Sequence, residues 1–383
     1  MRFLFASLIC LLLIPACERR AVNHETEAAN EAGVKPDALR SRALEIALSL
    51  DDRLLTSQLL ISGIDGKGSL QPKIENLFSY HTPGGVMLFR YNLTTDTDSI
   101  RNLLSQVSSF ISDKSNIPPF IAVDHEGGTV YRFQDGVAAL PAASSYREIF
   151  LSQGMEIALE KITGDVFKSG REIKELGINM IFAPVAEYLT EDNRAFLESR
   201  SYGPDPFFTA EAASAFVRAM EHAGIICVVK HFPASAGSDP HFSTSLISGN
   251  KAELDRLIFP FAHVFNNGAR AVMVAHSFVP AMDDKIASLS PVVMRNWLRG
   301  ELGFNGIIVC DDFIMEAAGS AIPEEAAILS IAAGADMVLV WPLSIERTHA
   351  AFISALKAGQ ISRERLIDAA ARIIYEKLRL GLM

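Results

Sequence analysis

The chain is 383 residues long, carries a formal charge of −10 and is 49% apolar. That balance excludes a chain disordered throughout, and an acidic charge without a basic stripe excludes capture of nucleic-acid phosphates. Four cysteines make no disulfide framework at this length, and the length itself fits either two or three domains or one large α/β barrel.

Residues 1–16 read as an export leader. Met1-Arg2 is a short basic start, and Phe3 to Ile14 is an apolar run broken only by Ser7, too short to span a bilayer. The run ends Leu13-Ile14-Pro15-Ala16-Cys17, which resembles the lipobox of bacterial lipoproteins, with Pro15 an unusual member. The resemblance implies a lipidated Cys17 and a membrane-anchored protein outside the cytoplasm, in the periplasm or on the cell surface; an ordinary signal cleaved nearby is the alternative. Residues 17–40 are rich in Glu, Ala, Asn and Arg without apolar periodicity, so they read as a flexible tether, and 41–383 as one folded domain.

After residue 40, short β-branched runs bounded by Gly or Pro alternate with segments at helical spacing. The predicted strands are Gln58 to Ile64, Gly85 to Phe89, Phe120 to Asp124, Asn179 to Pro184, Ile225 to His231, Ala271 to His276, Gly306 to Asp311 and Met337 to Trp341. Helices are predicted at Ile157 to Leu176, Thr209 to His222, Leu254 to Asn266, Ser290 to Leu302, Glu324 to Ala333, His349 to Ala358 and Arg363 to Leu378. Eight strands with crossovers predict a (β/α)8 TIM barrel, because a doubly wound sheet more often has fewer strands.

Barrel chemistry sits at the carboxyl ends of the strands. Four such ends here carry ionisable groups: Asp124 with Glu126, Lys230-His231, His276, and Asp311-Asp312. Each taken alone also suits a loop residue, a helix cap or a structural ion pair; their convergence on one rim is what points to a site. The nine histidines include no His-Glu-x-x-His, and Cys227 and Cys310 lie inside predicted buried strands, so no metal and no cofactor is expected.

These residues resemble the family 3 glycoside hydrolases, and among them the single-domain β-N-acetylglucosaminidases that trim peptidoglycan fragments. The resemblance runs from about residue 54 to about 345. It rests on Gly84 to Phe89, Asp124-His125-Glu126-Gly127-Gly128 with Val130 and Arg132, Phe182-Ala183-Pro184-Val185, Arg200-Ser201-Tyr202-Gly203 with Asp205-Pro206, and Lys230-His231-Phe232-Pro233. Ala275-His276, Leu298-Arg299, Glu301 to Phe304, and Asp311-Asp312 with Met315 continue it.

The resemblance implies an exo-acting, retaining β-N-acetylglucosaminidase that releases terminal N-acetylglucosamine. Asp311 aligns with the family nucleophile, and Asp312, its strand neighbour, is expected to point away. The family's acid/base is a histidine in an Asp-x-His pair on the loop after the fourth strand, which implies His241 as proton donor and Asp239 as the residue that orients it; a surface residue is the alternative for His241. Asp124, Arg132, Lys230 and His231 match positions that grip hydroxyls of the terminal sugar, Arg200 an arginine beside them, and His276 a histidine at the rim of the fifth strand.

This sequence departs from the family in lacking Gly-His-Gly after Pro233. Its Asp and His lie 9 and 11 residues from Lys230, two short of the common pattern. It also has Thr129, His125 and Cys310 where Arg, Gln and a small hydroxyl residue are common. Two rival functions stay open: a β-glucosidase or β-xylosidase of the same family, and a non-catalytic lipoprotein that binds sugar or cell wall. No nucleic-acid partner is expected.

Overall fold

The computed structural model describes residues 36–133, 135–237, 245–313 and 322–383. Eight parallel strands close a barrel: β1 Leu60–Gly63, β2 Gly85–Leu88, β3 Phe120–Val123, β4 Met180–Ile181, β5 Ile226–Phe232, β6 Ala271–Val274, β7 Ile307–Cys310 and β8 Met337–Val340. Each pairs with its neighbours in chain order and β8 returns to β1. Almost every strand residue is buried, as expected for strands covered by helices outside and packed side chains within. All eight predicted strands are present, seven of them shorter than predicted and the fifth, Ile226–Phe232, of equal length and shifted by one residue.

The helices differ from expectation in several places, and Pro72–Phe78, Thr97–Ser115 and Ala143–Gln153 are not among those predicted. The helix Pro36–Ser49 starts inside the segment assigned to the tether, so residues 36–40 belong to the folded part and not to a flexible tether. Its start carries no clear apolar periodicity, but Leu39 packs against the core, Ala43 and Ala47 farther along are buried, and Arg40 lies 4.7 Å from the ring of Tyr375 on the last helix. The single helix predicted over Leu254 to Asn266 is two, Lys251–Leu257 and Phe259–Asn266. Pro260 has no amide to continue the first helix and suits the first turn of the second. The predicted Ser290 to Leu302 helix is Val292–Glu301, wound in a π register, with the Leu302 amide donating to the Trp297 carbonyl at 2.9 Å.

The amino-terminal end of the barrel is sealed by buried charge. Asp336, fully buried just before β8, accepts from Arg299 (2.5 Å), Arg365 (2.9 Å) and the Ile308 amide (2.9 Å). Burial alone would raise its pKa, but the arginines prevail and hold it below the usual range. Nearby, Lys377 is completely buried, donating to Gln58 Oε1 at 2.9 Å and lying 5.1 Å from the Phe120 ring. The opposite, carboxyl end is left for chemistry.

Candidate active site

Which side chains face the barrel lumen follows from the pleat. Cys310, the last residue of β7, points outward, because its sulfur accepts from Ser330 on the covering helix Pro323–Ala333 at 2.9 Å. The next residue, Asp311, therefore faces the lumen. Registers carry that face around the barrel: Val309 lies beside Met337, Leu339 beside Ile61, Ile61 beside Gly85, and Gly85 beside Phe120. Two and four residues beyond Phe120, Ala122 and Asp124 share it.

Asp124 anchors a cluster of five charges. Its carboxylate accepts from Arg132 at 2.9 Å and from Lys230 at 3.0 Å. Lys230 also donates to Glu126 at 2.7 Å, and Glu126 takes both Nε and Nη2 of Arg200, at 2.8 and 2.9 Å. Paired N–H bonds of this kind fix the guanidinium plane. The Phe196 ring, 4.9 Å away, faces that plane. Burial would raise both carboxyl groups, but the neighbouring cations outweigh it and hold Asp124 and Glu126 each at about 2. The same carboxylates overcome the opposing effect of burial on Lys230 and raise it.

The turn that aims Glu126 and Arg132 depends on glycine. Gly127 and Gly128 have φ of 96° and 55°, and a Cβ on Gly127 would lie 2.3 Å from the Pro141 carbonyl oxygen. The short antiparallel pair His125–Gly127 and Val130–Tyr131 then delivers Arg132 back onto Asp124. His125, where the family commonly has Gln, is buried and pushed down to about 4 by that burial. Its Nε2 lies 2.8 Å from Ser169, whose hydroxyl donates to the Ala138 carbonyl, so the neutral ring donates there.

His231 is tied to a residue the sequence does not single out. Its Nδ1 lies 2.7 Å from Glu187, which also accepts from the Ser235 amide (2.5 Å) and hydroxyl (3.2 Å). The alternative of a structural partnership with a buried acid thus holds for both members of Lys230-His231, through Glu126 and Glu187.

His276 stands behind the strand end, not in the lumen. Its Nε2 faces the Asp312 carbonyl at 3.1 Å and its Nδ1 the Ser288 hydroxyl at 2.7 Å. A carbonyl only accepts, so Nε2 carries the proton and Ser288 donates to Nδ1, which makes the ring neutral. Burial lowers its pKa, in keeping with that form, against a smaller opposing effect of Asp311. The ring thereby holds the backbone just beyond Asp311. In barrel order the Lys230-His231 strand is β5 and His276 follows β6, so the loop continuing to 239 and 241 follows the fifth strand, and His276 the sixth. The family-based placement at the fourth and fifth is one strand short when counted from Leu60–Gly63. Asp239 and His241 lie outside the described residues, as do Cys17 and Met315.

This arrangement offers a lumen-facing carboxylate opposite a preorganised grip of carboxylates and cations, and it suits a neutral polyhydroxylated ligand. Residues 54–375 match the family model described as the glycosyl hydrolase family 3 N terminal domain. The chain belongs to glycosyl hydrolase family 3. Among family 3 relatives, a β-hexosaminidase of Neisseria gonorrhoeae is 33% identical over 264 residues, covering 67% of this chain and 71% of that protein. One from Stenotrophomonas maltophilia (strain K279a) is 31% identical over 289 residues, covering 74% and 83%. Among solved structures, a family 3 β-N-acetylglucosaminidase from Paenibacillus superposes with a TM-score of 0.82 at 29% identity, over 87% of this chain and 63% of that longer one. The N. gonorrhoeae enzyme NagZ, solved with N-trifluoroacetyl-D-glucosamine, gives a TM-score of 0.70 at 26% identity, covering 83% and 89%.

Proposed function

We propose that this family 3 glycoside hydrolase is an exo-acting, retaining β-N-acetylglucosaminidase that removes terminal N-acetylglucosamine from peptidoglycan fragments or related β-linked glycans. The observation that carries the proposal is that Asp311 and the Asp124–Lys230–Glu126–Arg200 cluster occupy one lumen-facing end of the barrel. The cluster grips hydroxyls of the terminal sugar. Asp311 attacks the anomeric carbon, forming a glycosyl ester as the bond to the leaving oxygen breaks, and that oxygen takes a proton from His241. His241, oriented by Asp239, then deprotonates the water that cleaves the ester, restoring both side chains. His231, held by Glu187, lines the grip, and His276 positions Asp311 from behind.

The β-hexosaminidase and β-N-acetylglucosaminidase names of the relatives support the activity and favour it over a glucosidase or xylosidase. Lipidation at Cys17 would tether the enzyme to a membrane outside the cytoplasm. No helix among the described residues is long and apolar enough to cross a membrane. The test is release of the chromophore from an aryl β-N-acetylglucosaminide. Turnover by the wild type that Asp311→Asn abolishes is expected; undiminished turnover in that variant would reject Asp311 as the nucleophile, and no turnover by the wild type would reject the activity.

A further inference from the structure

The catalytic end of the barrel also carries three stacked aromatic rings that the mechanism does not use. Phe89 follows β2 and Trp341 follows β8; their rings lie 4.9 Å apart at an interplanar angle of 4°. Tyr91 stacks on Phe89 in turn, at 5.6 Å and 14°. Trp341 remains 38% exposed and Tyr91 42%, so the aromatic surface is open to solvent.

Register puts this stack inside the barrel mouth. Ser62 lies beside Val340, so Trp341 lies beside Gly63, and Leu88 lies beside Val123, so Phe89 lies beside Asp124. Alternation then gives Gly63, Phe89 and Trp341 the lumen face shared by Asp124 and Asp311. Gly63 supplies an independent check. A Cβ there would sit 3.0 Å from Phe89 Cε2, so the ring fills the lumen space that any larger residue at the end of β1 would take.

The stack is held rigidly. Asn92 accepts from the Phe89 amide at 2.8 Å and donates to the carbonyls of Ile64 (2.9 Å) and Gly66 (3.0 Å), while the Tyr91 hydroxyl donates to Ile64 at 3.2 Å. Height sets which part of a glycan it meets. Since Val309 lies beside Met337, Asp311 falls beside Leu339 and Trp341 stands two residues farther along its strand; the strand tilt takes back one residue of height per strand, so the indole stands about 3 Å farther out than the carboxylate, at about 3.3 Å per residue. The indole therefore stands on the solvent side of a sugar bonded to Asp311, where the next sugar of the chain emerges.

We infer that the Phe89–Trp341 stack is the platform for the leaving-group sugar, taking the apolar C–H face of the second pyranose of a β-linked glycan. A flat, uncharged, preordered aromatic surface removes that face from water and costs little ordering on binding. The inference takes its glycan class from the proposed function, but it concerns binding and not turnover.

The experiment is an equilibrium titration of the Asp311→Asn protein with N-acetylglucosamine and with N,N′-diacetylchitobiose, followed by calorimetry and tryptophan emission. The disaccharide is expected to bind at least tenfold more tightly and to shift the emission, since the other of the two tryptophans, Trp297, is fully buried. Adding Trp341→Ala should remove the disaccharide's tenfold advantage, and Trp341→Phe should keep most of it while abolishing the emission change. An affinity ratio unmoved by Trp341→Ala, or no preference for the disaccharide in the first place, overturns the platform. Loss of the preference together with the monosaccharide affinity would mark a folding defect in the alanine variant, and Trp341→Phe then decides. A wild type that turns over nothing but keeps the preference would reject the activity and leave the platform standing.

Discussion

Lys377 makes a quantitative test of how the sealed end of the barrel is balanced. Its amine is fully buried with one hydrogen bond, to Gln58, and no carboxylate within ion-pairing distance among the described residues. Burial lowers its pKa from the ordinary 10.5 of a lysine to about 7. The folded pKa lies below the unfolded one, so between these values the unfolded chain binds more protons and stability rises with pH. Below about 7 both states are protonated and the full cost of burying the charge is present. Near pH 7.4 the difference corresponds to about 4 kcal/mol, taking about 1.36 kcal/mol per pKa unit. Lys377→Met removes this cost but leaves Gln58 Oε1 without its donor, a loss of about 1–3 kcal/mol. The variant should therefore be the more stable protein near pH 7.4, by roughly 1–3 kcal/mol. That advantage should shrink by about 1.4 kcal/mol for each unit of pH raised toward 10. Urea unfolding of both proteins at pH 7.5, 8.5 and 9.5, followed by circular dichroism, measures it, because all other titrations cancel in the difference. A difference that stays constant across the three pH values would refute the assignment of a neutral buried amine.

Two further outcomes follow from the site and from the proposed lipidation. Glu126→Gln leaves the shape of the grip but removes a charge from both Lys230 and Arg200; kcat/KM should fall by at least about tenfold, mostly through KM, as for loss of one charged hydrogen bond. An effect confined to thermal stability would show that the cluster is architectural only. Cys17→Ala should abolish incorporation of a labelled fatty acid and release the protein from washed membranes; labelling that survives the substitution would eliminate the anchor.

Much of this molecule is legible in the sequence because barrel strands are buried on both sides. Apolar runs such as Ile307 to Cys310 announce themselves without partners, and the charged residue that ends the run, Asp311, is legible for the same reason. Paired burial is not. Glu187 interrupts no pattern, and its partners His231 and Ser235 lie 44 and 48 residues away, so only folding reveals it. Glu126 stands visibly at a strand end, but its bidentate hold on Arg200 spans 74 residues. The helix Thr97–Ser115 carries its buried stripe at Ile100, Leu103, Leu104, Val107 and Ile111, a spacing present in the sequence but diluted by the serines between. The aromatic stack depends on register across three strands, which no linear pattern encodes.

The five-charge cluster changes what the protein's acidity means for its ligands. From the sequence, Arg132, Lys230 and Arg200 would meet an anionic glycan against a formal charge of −10. In the folded site two of those three positive charges are balanced by Asp124 and Glu126, so the cluster presents a surplus of one. Attraction at a distance is therefore weak, and a glycan is selected on contact, by the placement of its hydroxyl groups. Binding governed in this way changes little with ionic strength.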